Sequence, residues 1–269
     1  MDNASGTNAN ETSSAELAGQ TAVVTGASKG IGRAIALELA AAGADVLVHG
    51  NANGAQARTV AEEIQRRGRG SIVLLYDLAD PVQQQQLFDE AWNWREGVDI
   101  WVNNAGADVL TGQSVKETFD EKVERLWRVD VMSTIRLSRL AGQRMRRLGG
   151  IILNMGWDQA DHGMAGDSGE MFSACKGAIM AFTRSLAQSL APEVRVNCLA
   201  PGWIKTEWGQ QATLAWQARA RAESLTGRWG TPEDVARAAR FLVGPAASFI
   251  NGQSVAINGG FQFGPHSSS

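Results

Sequence analysis

The chain has 269 residues, enough for one large domain or two small ones, and its 44% apolar and 20% charged content is ordinary for a globular protein. A formal charge of -3 gives no electrostatic reason to expect a nucleic acid or an anionic membrane as partner. Cys175 and Cys198 are too far apart in sequence for a disulfide framework or a metal knuckle, so no metal site is predicted and a cytoplasmic setting fits best.

The first fifteen residues contain no Leu, Ile, Val or Phe, and they lack the basic start and apolar stretch of a signal peptide. They indicate a disordered tail, taken here as residues 1–16. No run of about 18 apolar residues follows, so no membrane span is expected.

From Thr21 onward, short apolar runs alternate with longer segments of helical periodicity. This alternation is typical of a parallel sheet covered by helices. Strands are predicted at 21–25, 45–49, 71–76, 99–103, 150–155, 194–200 and 253–258. Helices are predicted near 31–42, 54–67, 80–95, 120–148, 170–190 and 231–243. The sequence therefore predicts an α/β fold: one doubly wound Rossmann domain over 17–264, with an insertion at about 203–228 and a tail at 265–269.

Directly after the first strand comes the pattern T-G-x-x-x-G-x-G, which opens a helix. Glycines permit a tight turn and close backbone approach, while the helix N-terminus offers unpaired N–H groups to a pyrophosphate. With a strand before it and a helix after it, the pattern predicts a dinucleotide site. The residues assigned to this site are Gly26, Ser28, Lys29, Gly30, Ile31 and Gly32.

The choice of cofactor depends on the end of the second strand, where an NAD-selective site usually has an acid. Here that place is occupied by His49, Gly50 and Asn51, with no carboxylate. Lys29 and Arg33 flank the loop and suit a 2′-phosphate, although both are also explained as solvated surface cations. NADP(H) is therefore favoured over NAD(H), with Asn51 at the adenosine end.

A second signal follows the fourth strand, where small residues and asparagines allow close approach of the cofactor and can tie neighbouring strands together. The site residues there are Asn104, Ala105 and Gly106. After the third strand, Asp77 either meets an adenine amino group or caps the next helix.

Four motifs together, T-G-A-S-K-G-I-G, N-N-A-G, P-G-W-I-K-T at 201–206 and G-T-P-E-D-V-A at 230–236, resemble those of the short-chain dehydrogenase/reductase family. The resemblance covers 18–263 and is strongest to the 3-oxoacyl-[acyl-carrier-protein] reductase branch. It implies that Pro201, Gly202 and Thr206 approach the nicotinamide. It also implies a homotetramer or homodimer, with the 120–148 and 170–190 helices at the interface.

The resemblance implies a catalytic set of Asn, Ser, Tyr and Lys for carbonyl reduction or alcohol oxidation. In that set tyrosine transfers the proton, lysine lowers its pKa and binds the nicotinamide ribose, serine polarises the substrate oxygen, and asparagine holds a relay water. Only Lys176 matches. The tyrosine place holds Phe172, the serine place Trp157 and the asparagine place Asp130, and the single tyrosine of the chain is Tyr76.

Three replacements favour a protein that binds cofactor or ligand, or serves as a non-catalytic subunit, over an ordinary carbonyl reductase. The alternative is an active enzyme with a relocated acid or base, acting on a flat or hydrophobic substrate. Candidates for that role are Asp130, Asp158, Asp161, His162, Glu170, Cys175 and Lys176, and His162 is the obvious proton carrier at neutral pH. Trp157 and Phe172 either bind an aromatic or hydrophobic small molecule or fill the pocket as core, and Asp130 either holds the water or pairs with Lys176.

Overall fold

The computed structural model describes residues 16–52 and 54–261, so the tail predicted at 265–269 and nearly all of that at 1–16 lie outside the described residues. Within the described part of the chain, seven parallel strands form one sheet in the order β3-β2-β1-β4-β5-β6-β7. This is the predicted doubly wound α/β fold. The strands are β1 (Thr21–Val24), β2 (Asp45–Gly50), β3 (Ser71–Leu75), β4 (Ile100–Asn103), β5 (Gly150–Met155), β6 (Val194–Pro201) and β7 (Ser254–Ile257).

Helices cover both faces of the sheet because its strands are apolar on both sides. On one face, residues such as Val24 and Val48 belong to one buried apolar cluster, while their neighbours Val23 and Leu47 belong to a second cluster on the other face. The helices are α1 (Gly30–Ala41), α2 (Gly54–Arg66), α3 (Pro81–Trp94), α4 (Phe119–Leu126), α5 (Ser133–Met145), α6 (Asp167–Leu190), α7 (Glu207–Gln211), α8 (Leu214–Glu223) and α9 (Pro232–Val243).

The helix predicted over 120–148 is interrupted. A π-helical turn, Trp127–Met132, separates α4 from α5, and it carries Asp130 with its side chain buried. Single π-helical turns often occur at functional sites. This turn places Asp130 opposite α6, which begins at Asp167, three residues before the predicted start.

The predicted insertion at 203–228 contains α7 and α8. Its three tryptophans form one cluster with Trp229, which lies three residues before the start of α9, and the ring centroids in contact are 5.4 to 6.4 Å apart. The cluster consists of Trp203, Trp208, Trp216 and Trp229. Among the described residues, no helix has both the length and the apolarity needed to cross a membrane.

The strand order reverses between β1 and β4, and the loops at the carboxyl ends of these two strands meet there. In open α/β sheets this reversal is the usual ligand crevice. Both the glycine loop after β1 and the N-N-A-G segment at the end of β4 lie at this point.

Candidate active site

The glycine loop after β1 is built for close backbone contact. Gly26 has a φ of 63°, and a Cβ on it would lie 2.8 Å from the Cα of Ala105. A Cβ on Gly32 would overlap the carbonyl oxygen of Gly26 and the amide of Asn104. A side chain at either position would therefore push the loop and the N-N-A-G segment apart.

Asn104 and Thr25 tie these two segments together, as predicted for the N-N-A-G asparagines. The Asn104 Nδ2 donates to the carbonyl oxygens of Thr25 at 2.9 Å and Gly26 at 3.1 Å. In return, the Thr25 hydroxyl accepts the N–H groups of Asn104 and Ala105, each at 3.0 Å. The loop is thus held before any ligand binds.

The N-terminus of α1 fits an anionic group. Its N-cap residue, Lys29, makes no capping hydrogen bond through its side chain, and the first turn contains no acidic residue. The first N–H groups of the helix therefore have no side-chain acceptor there. Ser28 on the loop and Ile31 in the first turn of α1, also predicted to bind cofactor, are both partly exposed.

His49 holds the glycine loop through a hydrogen bond, a role that was not predicted from the sequence. Its Nδ1 accepts the Gly26 N–H at 3.1 Å, so its Nε2 carries the proton and donates to the Tyr76 carbonyl oxygen at 3.0 Å. Burial lowers the pKa of His49 to about 4, against an opposing effect of the hydrogen bond to Tyr76. A polar residue ending the apolar run V-L-V was the signal available in the sequence.

Both predicted cations have carboxylate partners. Lys29 Nζ lies 2.8 Å from Glu207 Oε2, and Arg33 Nη2 lies 2.7 Å from Glu63 Oε2. They are therefore not simply solvated, although each side chain is more than 40% exposed. Asn51 is exposed beyond the end of β2.

Asp77 does not cap α3, which corrects one of its two predicted roles. Asp80 is the N-cap, and its Oδ1 accepts the Val82 N–H at 2.8 Å. The Asp77 carboxylate instead accepts the Ala79 N–H at 2.9 Å in the turn after β3.

Lys176 and Asp130 form a buried ion pair. The Lys176 Nζ lies 2.7 Å from Asp130 Oδ2, with side-chain exposures of 12% and 2%. The other oxygen, Oδ1, accepts the Ala107 N–H at 2.8 Å. A Cβ on Gly106 would lie 2.9 Å from Oδ2, so this pair lies directly against the N-N-A-G segment. Asp130 was predicted either to hold a relay water or to pair with Lys176, and the structure shows the pairing with Lys176.

At the places that the resemblance assigns to tyrosine and serine, two aromatic rings meet edge to face. The Trp157 and Phe172 centroids are 6.1 Å apart with an interplanar angle of 64°, a favourable edge-to-face arrangement. Phe172 also packs against the buried cluster that includes Val109 and Cys175. Burial raises the pKa of the Cys175 thiol to about 11 and that of Cys198 to about 12, so both behave as packing residues.

The residues after Trp157 form a short 3₁₀ turn, Asp158–Ala160. Asp158 is buried, and its Oδ2 accepts from the Asn258 amide at 3.0 Å. His162 is exposed, and its ring stacks on Phe261 with centroids 5.4 Å apart.

The segment 201–206 closes the same edge of the sheet. The Thr206 methyl lies 3.7 Å from the position of a Cβ on Gly30, so it borders the glycine loop. Gly202 donates its N–H to the Ile257 carbonyl oxygen, and Pro201 ends β6. Among the described residues, no group of three or more His, Cys, Asp or Glu side chains is arranged to hold a metal ion.

A family model described as enoyl-(acyl carrier protein) reductase matches residues 26–262. The 3-oxoacyl-[acyl-carrier-protein] reductase FabG of Aquifex aeolicus is 33% identical over 252 residues, which span 91% of this chain and 98% of that protein. An Arabidopsis thaliana protein named NADPH-dependent aldehyde reductase 2, chloroplastic, is 33% identical, over 91% of this chain and 94% of its own length.

Among solved structures, a short-chain dehydrogenase from Burkholderia cenocepacia in complex with NADP superimposes with a TM-score of 0.82. It is 35% identical, and the match covers 91% of this chain and 98% of that one. A 7α-hydroxysteroid dehydrogenase complexed with NADH and 7-oxoglycochenodeoxycholic acid superimposes with a TM-score of 0.83 at 32% identity, over 91% and 95% of the two chains.

Proposed function

Because the chain belongs to the short-chain dehydrogenase/reductase family of oxidoreductases, we propose that it binds NADP(H) but does not catalyse the tyrosine-dependent carbonyl reduction of ordinary ketones. The observation that carries the proposal is the buried Lys176–Asp130 pair, which lies beside an aromatic pair at the tyrosine and serine places.

Dinucleotide binding is supported by the loop itself. Gly26 and Gly32 leave room that any side chain would fill, and the first turn of α1 presents N–H groups without a side-chain cap. The backbone of the loop, with Asn104 and Thr206 at its border, would hold the pyrophosphate and the nicotinamide end. When bound, the dinucleotide supplies or accepts a hydride.

Preference for NADP(H) is supported by charge. The end of β2 carries no carboxylate, while Lys29 and Arg33 are the cations beside the loop. The Lys29–Glu207 pair is exposed and the Arg33–Glu63 pair is partly exposed, and exposed ion pairs contribute about 0 to 1 kcal/mol. A 2′-phosphate can therefore compete for either cation. Among the similar proteins, one structure holds NADP and one protein is named as an NADPH-dependent reductase, while another structure holds NADH, so the preference rests on the charges.

The proposed loss of ordinary reduction follows from what the replacements remove. A positioned acid or base contributes about 10²- to 10⁴-fold, and a donor to the developing oxyanion about 10²- to 10³-fold. Phe172 carries no exchangeable proton, and Trp157 has no hydroxyl group, its one polar group being the indole Nε1–H. Lys176 already has a carboxylate partner, so its ammonium must leave Asp130, or share it, to meet a ribose hydroxyl.

Titration with NADPH and NADH tests the cofactor part, read by energy transfer from the nine tryptophans to the reduced nicotinamide. We expect saturable binding, tighter for NADPH. Gly32→Ala should abolish it, since the new Cβ overlaps Gly26 and Asn104. The matched control is Gly97→Ala, whose Cβ meets nothing within 4 Å. Binding that survives Gly32→Ala with the same affinity would refute the assigned loop.

NADPH oxidation with a panel of simple ketones and oxoacyl thioesters tests the catalytic part. We expect rates at the background level. Sustained turnover of these substrates by the natural sequence would sink the proposal.

A second candidate is an active oxidoreductase that uses another acid or base on a flat or hydrophobic carbonyl or alcohol. It is favoured by one observation, the buried carboxyl group of Asp158 next to Trp157. Unlike the first function, it requires that NADPH is consumed with the right substrate.

A further inference from the structure

Asp158 is a carboxyl group in an unusual place. It follows Trp157 directly and is only 3% exposed, although acidic side chains are rarely buried without a cationic partner. Its Oδ2 accepts from the Asn258 amide and lies 2.9 Å from the position of a Cβ on Gly202. Asp158 thus lies between the ring at the serine place and the segment 201–206 that borders the glycine loop.

The second oxygen, Oδ1, is buried and has no hydrogen-bond partner among the described residues. The Nε2 of Gln159, its neighbour in the same turn, is also buried without a partner there. Burying an unpartnered polar group costs about 1 to 3 kcal/mol, and proteins usually avoid it. Two such atoms lie in one turn that packs against α6, so they have hydrogen-bonding capacity left for water or another polar group from outside the chain.

The surroundings favour the protonated acid. Burial raises the pKa of Asp158, while the hydrogen bond from Asn258, the adjacent backbone N–H of Gln159 and the charge of His162 act in the opposite direction. His162, whose charge acts on Asp158, is exposed to solvent. A carboxyl group with a raised pKa keeps its proton to higher pH, and in that form it can donate a proton, as tyrosine does in the family.

We infer that Asp158 is the proton donor and acceptor of this substrate pocket, acting on flat, hydrophobic aldehydes or ketones that contact Trp157 and Phe172. The inference rests on the proposed binding of NADP(H) and names the acid of the second candidate function. The aromatic pair indicates the class of substrate, because aromatic side chains bind flat apolar molecules by offset stacking and by edge-to-face contact.

The step balances with NADPH as the reductant. The carbonyl carbon of the substrate accepts the hydride that NADPH supplies, and the C=O π electrons move to oxygen. That oxygen takes the proton of Asp158, whose O–H bond breaks and leaves a carboxylate. The products are an alcohol and NADP⁺, and Asp158 regains a proton from solvent on the side of His162. Alcohol oxidation follows the same path in reverse.

The first test reads the proton itself and needs no turnover. Infrared difference spectra between the natural sequence and Asp158→Asn isolate the C=O stretch of the protonated acid as pH is varied. With NADPH present, we expect this band to persist at pH values above about 4, the ordinary pKa of aspartate. A carboxylate at all pH values above this range would overturn the inference. The matched control, Asp167→Asn, removes an exposed acid at the start of α6 and should leave the band unchanged.

The second test measures NADPH oxidation with 2-naphthaldehyde as the flat hydrophobic probe. We expect turnover by the natural sequence, a loss of about 10²-fold or more in Asp158→Asn, partial recovery in Asp158→Glu and no change in Asp167→Asn. NADPH affinity should be the same in all four proteins, so lost turnover with intact binding locates the defect in proton transfer. The rate of the natural sequence should also follow the pH dependence of the infrared band, which keeps the test valid if Asp158→Asn folds poorly.

The outcomes separate the inference from the function on which it rests. If NADPH does not bind to the natural sequence, the proposed function fails. If NADPH binds but the aldehyde is not reduced, or Asp158→Asn reduces it at an unchanged rate, the role of Asp158 is overturned while cofactor binding stands.

Discussion

The Asp130–Lys176 pair offers the most quantitative prediction, because the two charges are buried together and each has a conservative replacement. Asp130→Asn removes the negative charge yet keeps an oxygen for the Ala107 N–H, now bonded at 2.8 Å. Lys176→Met removes the positive charge and keeps the length of the side chain. The two variants and their combination form a double-mutant cycle.

Removing one partner of a buried ion pair leaves the other charge without compensation and costs about 3 to 5 kcal/mol. Because Lys176 keeps 12% exposure, we expect the lower end, about 3 kcal/mol, for each single change in the free energy of unfolding. The double variant leaves no unpaired charge, so it should also cost about 3 kcal/mol or less, not the sum of about 6. Urea denaturation at neutral pH measures all four proteins.

The same cycle has a functional readout. In Asp130→Asn the Lys176 ammonium is no longer held by a carboxylate, so we expect NADPH to bind about 10-fold tighter, equivalent to about 1.4 kcal/mol. Free energies of unfolding that add to within about 0.5 kcal/mol would show that the two charges do not interact and would refute the reasoning. Unchanged NADPH affinity would show that Lys176 does not contact the cofactor.

Three further predictions address the rest of the site. Arg33→Ala should weaken NADPH binding about 10-fold and leave NADH binding unchanged, because only NADPH has the 2′-phosphate that Arg33 would bind. Glu63→Gln removes the carboxylate partner of Arg33 and should tighten the binding of NADPH alone. Equal effects on both dinucleotides would exclude Arg33 as a 2′-phosphate ligand. The pKa of His49 is about 4 in the folded protein and has its ordinary value of 6.5 in the unfolded chain, so between these pH values only the unfolded chain binds the extra proton. The free energy of unfolding should therefore fall by up to about 3 kcal/mol as pH is lowered through this range. His49→Asn should flatten that slope in urea titrations, and an unchanged slope would assign it to other groups. Because burial raises the thiol pKa of Cys175 and Cys198 to about 11 and 12, a disulfide reagent at pH 8 should modify both only after denaturation, and rapid labelling of the native protein would contradict their placement.

The fold could be predicted because its signals are local. Apolar runs such as V-L-V in β2 and glycines at the start of α1 identify strands and turns without knowledge of distant residues, and the strand order follows from doubly wound topology. The π-helical turn at Trp127–Met132 could not be predicted, since the sequence of 120–148 is continuously helical in period and the interruption accompanies a tertiary pair with α6.

The partners of the site residues were less accessible to sequence reasoning. Arg33 and Glu63 are 30 residues apart, and Lys29 and Glu207 are 178 apart, so no local pattern joins them. For His49, the sequence showed only that a carboxylate was absent from the end of β2. Its support of Gly26 depends on three chain segments that meet in the folded structure.

Burial was the other property that the sequence left open. Asp158 and Asp161 are both acids in one polar loop, and the sequence treated them alike as candidates for proton transfer. In the structure Asp161 is exposed, while Asp158 is buried against Asn258. That difference arises from the packing of the 3₁₀ turn between α6 and the end of β7, which involves residues about 100 positions away.

The central claim is that the site holds the cofactor but lacks the proton chemistry of the family. It is tested most directly by restoring that chemistry in the triple variant Asp130→Asn, Trp157→Ser, Phe172→Tyr and measuring NADPH binding and ketone reduction beside the natural sequence. We predict NADPH binding by both proteins and reduction of simple ketones by the variant alone, at a rate at least about 10²-fold above the natural sequence. Equal reduction of these ketones by the natural sequence would contradict the claim.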